Sequence, residues 1–247
     1  MRFNLKVLML LWIVLIVGAG SLQAKPLIVG CDTGFKPFVF IGPDGNYTGF
    51  DIELWDSIAK KLKLNYTLVR MEFKELIPAL VNKKIDVALA GITIISQREK
   101  QIDFSFPYFE SDLRILVRAG DNEISDIGDL DEKVVATKQG TTSAKFVKNI
   151  QTEQVNLFRT IDEAYRALQK DRVDAVIFDS PSILNYIHTD GKDIAKIVGR
   201  SHQRQYYGIA LQQGSDLREK VSIEILKFME EGYYDIFFRK WFGYVPQ

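Results

Sequence analysis

This sequence predicts an α/β protein of two lobes, and three observations carry the prediction. Strand-like and helix-like segments alternate, which argues for βαβ units and a parallel sheet. The run Asp86-Val87-Ala88-Leu89-Ala90-Gly91-Ile92-Thr93-Ile94 is apolar, small and β-branched, as a strand buried on both faces requires. After Phe106-Pro107-Tyr108-Phe109 the βα rhythm restarts with no flexible tether, so the two units are expected to share short extended crossings.

In chain order, Arg2 and Lys6 precede an apolar stretch from Val7 to Val17, and Ser21-Leu22-Gln23-Ala24 resembles a small-residue cleavage site. Residues 1–24 therefore read as a secretory signal peptide. The stretch falls short of the ~20 apolar residues a membrane helix wants. Ile28-Val29-Gly30-Cys31 resembles the site at which bacterial lipoproteins are cleaved and lipidated. However, Lys25 and Pro26 separate it from the apolar segment, and cleavage there would remove a first strand, Leu27 to Cys31. Cys31 is the only cysteine, so no intramolecular disulfide forms and stability must come from the core.

Gly42-Pro43-Asp44-Gly45-Asn46 is a turn. Leu54, Trp55, Ile58, Ala59 and Leu62 recur at helical spacing, with Asp51 and Glu53 early and Lys60, Lys61 and Lys63 late, which suits the helix dipole. A strand over Tyr66 to Val69, a helix marked by Phe73, Leu76, Ile77 and Leu80, and the strand at Val87 follow, with Ser96 capping the next helix. The second unit reads as strands Leu113 to Val117, Val134 to Thr137, Val155 to Phe158 and Val173 to Phe178. Its helices are Ala144 to Ile150, one opened by a Thr160/Glu163 capping box and running through Leu168, and one capped by Ser180 with Pro181 first. A strand at Tyr207 to Leu211 precedes a last helix, begun near Ser215 and closed near Gly232. The expected division is 25–108 with 208–247 as one lobe and 113–203 as the other, crossing at 109–112 and 204–207.

Lysine plus arginine and aspartate plus glutamate number 32 each, a balance that leaves no electrostatic footprint for nucleic acid or an anionic membrane. The expected partner is a small molecule. His188 and His202 are the only histidines, neither beside a cysteine or an acidic cluster, and the glycines form no phosphate loop. Neither metal, cofactor nor catalytic group is expected.

Polar residues cluster where strands end, the place at which open α/β sheets bind ligands: Asp32, Thr93 with Arg98, Lys138, and Asp179. A lone aspartate after a strand is more often a cap, and a lone arginine in a helix a solvated face. Together they suit a zwitterion with a polar side chain. Arg98 offers a fork of donors to an α-carboxylate, while Asp179, the Thr93 hydroxyl and the Gly91 carbonyl offer acceptors to an α-ammonium. Lys138 opens the loop Lys-Gln-Gly-Thr-Thr-Ser, whose N–H groups suit the same carboxylate. Phe35 and Phe73 read equally as core or as apolar walls around the ligand stem.

These segments resemble one family over essentially the whole chain after residue 24. Asp32-Thr33-Gly34-Phe35-Lys36-Pro37-Phe38, Gly49-Phe50-Asp51-Ile52-Glu53-Leu54-Trp55, Ala90-Gly91-Ile92-Thr93-Ile94 with Arg98, and Ile102-Asp103-Phe104-Ser105-Phe106-Pro107-Tyr108 are similar to the polar amino-acid-binding proteins of bacterial ABC importers. Asp174 to Pro181 and Tyr207 to Ala210 are most similar to its glutamine-binding members. The resemblance implies a periplasmic-binding-protein fold of type II, two Rossmann-like lobes on hinge crossings. It also implies a monomeric periplasmic receptor that closes on one amino acid and docks on an inner-membrane permease. Glutamine is the ligand expected first, with arginine, glutamate or histidine as alternatives. Carried over by motif, Asp32 would meet the side-chain amide, Phe35 and Phe73 would enclose the stem, and Gly91, Thr93, Arg98, Lys138 and Asp179 would contact the amino-acid backbone. Phe178 stands where histidine is common and Thr142 where a second glycine is common, so one polar group near the ligand is lost and one backbone N–H is kept. Aromatic-pathway dehydratases of the same fold offer an enzyme alternative. A sensory ectodomain is a third reading.

Overall fold

The computed structural model describes residues 25–243, and the expected signal peptide lies outside the described residues. In chain order the strands are β1 (Leu27–Cys31), β2 (Gly34–Phe35), β3 (Val39–Ile41), β4 (Tyr47–Thr48), β5 (Tyr66–Arg70), β6 (Val87–Thr93), β7 (Ile102–Phe104), β8 (Phe109–Arg118), β9 (Val134–Lys138), β10 (Gln154–Phe158), β11 (Ala175–Asp179) and β12 (Ala195–Gln212). The helices are α1 (Phe50–Lys61), α2 (Phe73–Val81), α3 (Ser96–Glu99), α4 (Thr142–Val147), α5 (Ile161–Gln169), α6 (Ser180–His188), α7 (Leu217–Glu230) and α8 (Tyr233–Phe242).

One sheet runs through the molecule in the order β10-β9-β11-β8-β12-β6-β1-β5, with β7 also on β12, and β2-β3-β4 form a small separate sheet. β1 pairs in parallel with β5 and β6, and β9 with β10 and β11, as the βαβ rhythm requires. Every residue of β6 is buried. The strand period sends Val87 and Leu89 to the cluster containing Leu54, Trp55 and Ile58 of α1, and Ala88, Ala90 and Ile92 to the one containing Phe73, Leu76 and Leu80 of α2. Helices on both faces are what a parallel sheet needs.

The two halves of the sheet are joined by β8 and β12, which pair antiparallel with Tyr207 opposite Phe109 and Gln205 opposite Ser111. Tyr207 also faces Thr93 of β6. The expected crossings at 109–112 and 204–207 thus lie within β8 and β12.

Several element ends differ from expectation for local reasons. β12 begins at Ala195 rather than Tyr207, because Arg200-Ser201-His202-Gln203-Arg204 lacks apolar alternation and the register shifts on either side of His202. A further helix, α8, follows Gly232, which takes a left-handed φ of 77° between α7 and α8. Ser96 is the first residue of α3 and Ile95 its extended cap, with no side-chain bond. Asp179, not Ser180, caps α6. Thr141 caps α4, accepting from the Ala144 N–H at 3.2 Å, so this helix starts two residues before the expected Ala144. The Thr160/Glu163 capping box of α5 is present as expected.

Candidate functional site

A small cavity is walled by both halves of the sheet. Phe35, Phe73, Gly91 and Thr93 come from the β1/β6 half, and Lys138, Thr142, Phe178 and Asp179 from the β9/β11 half. Ala90 and Thr141 join them. Asp32 and Arg98, also expected at the site, are not among the residues that line it but touch ones that do: Asp32 pairs with Lys138, and Arg98 donates to the Thr93 carbonyl.

At one end, the Lys138 ammonium makes a short ion pair with Asp32 and donates to the Gly34 carbonyl at 3.2 Å. It also lies 6.0 Å from the Phe35 ring centre and 5.6 Å from that of Phe73. Aromatic faces favour a cation, so this lysine is held by charge on one side and by quadrupoles on two others. Phe178 meets Phe35 edge-on at 5.9 Å. Phe35 also stacks on Phe38 at 4.9 Å, so it is core and wall together.

At the other end is the Asp179 carboxylate. Tyr207 donates to its Oδ2 at 2.6 Å, while its buried Oδ1 finds no hydrogen-bond partner among the described residues. Burial pushes this carboxyl up to about 6, against the Tyr207 hydrogen bond and the nearby Arg98 and Lys138 charges. Thr93 and Thr142 both donate to one atom, Gln205 Oε1, at 2.8 and 2.9 Å, so the hydroxyl lone pairs face elsewhere. Arg98 donates from Nη1 to the Thr93 carbonyl at 2.8 Å and from Nη2 to the Gly140 carbonyl at 3.3 Å, tying the two halves together. Burial pulls its guanidinium down to about 10, with Asp179 acting against the shift.

Sequence reasoning missed Gln205 and Asp51. Gln205 sits 2 % exposed in a polar stretch with no period to mark it. Asp51 was expected as a dipole-facing acid on α1; instead its carboxylate is buried, and burial raises it to about 6 against hydrogen bonds from Tyr108 and Gly91. The only signal was its place in the Gly49-Phe50-Asp51 segment. Gly49 has a φ of 127°, and a Cβ there would lie 2.1 Å from the Phe38 carbonyl oxygen, so only glycine lets α1 start this close.

Cys31 ends β1 with no exposure, and burial pushes its thiol far up, so it is inert as a nucleophile. Cleavage before it would strip Leu27 to Gly30 from the sheet. Among the described residues no group of three or more histidine, cysteine, aspartate or glutamate side chains is arranged to hold a metal, and no helix is long and apolar enough to cross a membrane.

The chain is similar along most of its length to known proteins. The L-cystine-binding protein TcyJ of Escherichia coli (strain K12) is 31% identical over 220 residues, covering 88% of this chain and 82% of that protein. The ABC transporter glutamine-binding protein GlnH of Bacillus subtilis (strain 168) is 31% identical over 224 residues, covering 87% and 80%. The solved structure of an ancestral arginine-binding protein bound to arginine superposes with a TM-score of 0.83 at 39% identity, over 88% of this chain and 98% of that one. Residues 27–244 match a single family throughout, two-lobed in fold like that structure, and the chain belongs to the bacterial extracellular solute-binding proteins, family 3.

Proposed function

We propose that this chain captures a polar L-amino acid, glutamine before others, between its two lobes outside the cytoplasm, and delivers it to the membrane permease of an ABC importer. Family membership makes it a solute-binding protein and not an enzyme, which sets the dehydratase alternative aside. The names of its relatives, which bind cystine, glutamine and arginine, support an amino acid as the ligand class.

One observation carries the choice of glutamine. The buried Lys138–Asp32 pair closes one end of the cavity with no net charge, a donor and an acceptor side by side. A carboxamide is likewise neutral, with one acceptor oxygen and two N–H donors. An arginine side chain would meet Lys138 as a like charge and a glutamate would meet Asp32 as one, each desolvated and costly. At the far end the ligand ammonium takes the free Asp179 oxygen and a lone pair of Thr93. The carboxylate takes the remaining Arg98 donors and the N–H groups at the Thr141–Thr142 helix start. The aliphatic stem lies between Phe35 and Phe73, with Phe178 at its edge.

In this reading 25–108 with 208–247 form one lobe and 113–203 the other, the paired strands at 109–112 and 204–207 are the hinge, and the protein acts as a monomer. The test is calorimetry and thermal shift on refolded protein with glutamine, arginine, glutamate, histidine and cystine in turn. Ligand at a thousandfold over its Kd stabilises the native state by about 4 kcal/mol, and glutamine is expected to give the largest shift. A larger shift with any of the other four overturns glutamine and keeps the amino-acid class; silence with all five overturns glutamine, and silence with the rest of the twenty amino acids as well overturns the class.

A further inference from the structure

Asp51 lies in the first turn of α1, yet its side chain is buried at 1 % exposure. An ionised carboxylate is kept in such a place only when its oxygens are hydrogen-bonded. Its Oδ2 accepts from the Gly91 N–H at 2.8 Å and its Oδ1 from the Tyr108 hydroxyl at 2.7 Å. Tyr108 is itself held, its N–H donating to the Tyr207 carbonyl at 2.9 Å and its ring stacking on Phe50 at 6.0 Å.

The partner of that carboxylate is the most distorted point of β6. Gly91 has a φ of +53°, and a Cβ there would meet the Phe35 ring at 2.2 Å. The register with β12 slips at the same place, where Gly208 faces Ile92 but Ala210 faces Ala88, so two steps along one strand span four along the other. A strand interrupted in this way leaves an amide out of the ladder, and Asp51 supplies the acceptor from a different element. The bend is also the cavity wall: Ala90, Gly91 and Thr93 all line it, whereas Asp51 does not.

We infer that Asp51 is a positioning residue for ligand binding: anchored by Tyr108, it pins the Gly91 N–H and so holds the bend that places Gly91 and Thr93 against the ligand. The inference rests on the cavity being the amino-acid site proposed above. Three variants of the full chain test it, Asp51→Ala, Asp51→Asn and Tyr108→Phe, by calorimetry with L-glutamine and by hydrogen exchange of the Gly91 amide. A charge-assisted hydrogen bond lost from the wall corresponds to about a tenfold or greater rise in Kd, which is expected for Asp51→Ala together with faster Gly91 exchange. Asp51→Asn rescues binding to within about threefold, because its carboxamide oxygen still accepts the same N–H. Tyr108→Phe falls between the two in both readouts.

A merely structural Asp51 would lower the melting temperature of the alanine variant while leaving Kd and Gly91 exchange as in the wild type, and that result overturns the inference. If Asp51→Ala does not fold, Tyr108→Phe decides: wild-type affinity with unchanged Gly91 exchange overturns it equally. If the wild type binds no amino acid, the reading of the cavity falls by itself, and Gly91 exchange in the variants still shows whether Asp51 holds the bend.

Discussion

Two ion pairs span the same crevice and differ in almost everything but their topology. Lys138 and Asp32 meet with side chains 2% and 7% exposed, whereas Arg159 and Glu72 meet at 3.6 Å with side chains 62% and 33% exposed. Lys138 has a carbonyl and two rings to hold it, while Arg159 divides its guanidinium between Glu72 and Glu163, and Glu72 also faces Lys74 at 3.2 Å. Desolvation makes the inner pair intolerant of change, and water makes the outer one replaceable. Which contacts between the lobes govern binding is therefore expected to be set by burial, not by the fact of bridging.

The sharpest way to break this contrast is to remove one inner partner. Lys138→Met leaves Asp32 buried and uncompensated and is expected to destabilise the fold by about 3–5 kcal/mol in urea denaturation, with glutamine binding lost. The double variant Lys138→Met with Asp32→Leu replaces both charges by apolar groups and recovers most of that stability but none of the binding. A single variant as stable as the wild type would mean that the inner pair is as dispensable as the outer.

Arg98 comes next, a buried cation that donates to two carbonyls, lies 5.4 Å from the Phe73 ring centre and feels the more distant Asp179 charge. Arg98→Ala removes the donors assigned to the ligand carboxylate and the tie to Gly140, and is expected to weaken binding by ~3 kcal/mol, about a hundredfold. Micromolar binding retained in that variant would take the carboxylate away from Arg98.

Asp179 extends the contrast to pH. Its carboxyl is raised from the ordinary value to about 6, mainly by burial. The folded state therefore holds its proton more tightly than the unfolded chain, so this group's contribution to stability is most favourable below pH ~4. It declines as pH rises from about 4 through about 6 and levels off above, once the buried carboxyl is ionised. In the proposed reading ligand binding runs the other way, because the ammonium assigned to Asp179 needs the ionised form. Kd is expected to rise by up to about tenfold per pH unit below 6, with proton release on binding seen by calorimetry in buffers of different ionisation heat. Asp51 is raised in the same direction, so the wild type carries both effects, and the difference from Asp179→Asn isolates Asp179.

How much of this was legible in the sequence follows the range of the interactions involved. The apolar run of β6, the Thr160/Glu163 capping box and the charge order of α1 are local patterns, and each has a local structural counterpart. The strand-end positions of Asp32, Lys138 and Asp179 were visible because strand ends were. Asp51 was not: an acid in a first helical turn looks the same whether it faces water or an amide 40 residues away, and only the slip of β6 against β12 decides. Gln205 was hidden for a similar reason, since its partners Thr93 and Thr142 lie 112 and 63 residues away in sequence. The first half of β12 escaped because its pairing with β8 is made through the backbone, which polar residues satisfy as well as apolar ones.

The smallest expected effect is the one that tests the comparison most strictly. Arg159→Ala removes the outer pair, where an exposed, divided contact is worth roughly 0–1 kcal/mol. Glutamine affinity is expected to change by less than about fivefold at low salt and to match the wild type near 0.5 M salt, where charges in water are screened within a few ångströms. The loss of binding in Lys138→Met should persist at every salt concentration, because salt does not reach a pair buried at the cavity end. If Arg159→Ala weakened binding a hundredfold at high salt, the outer contact would be a clasp for the closed lobes, and exposure would be the wrong measure of which bridge matters.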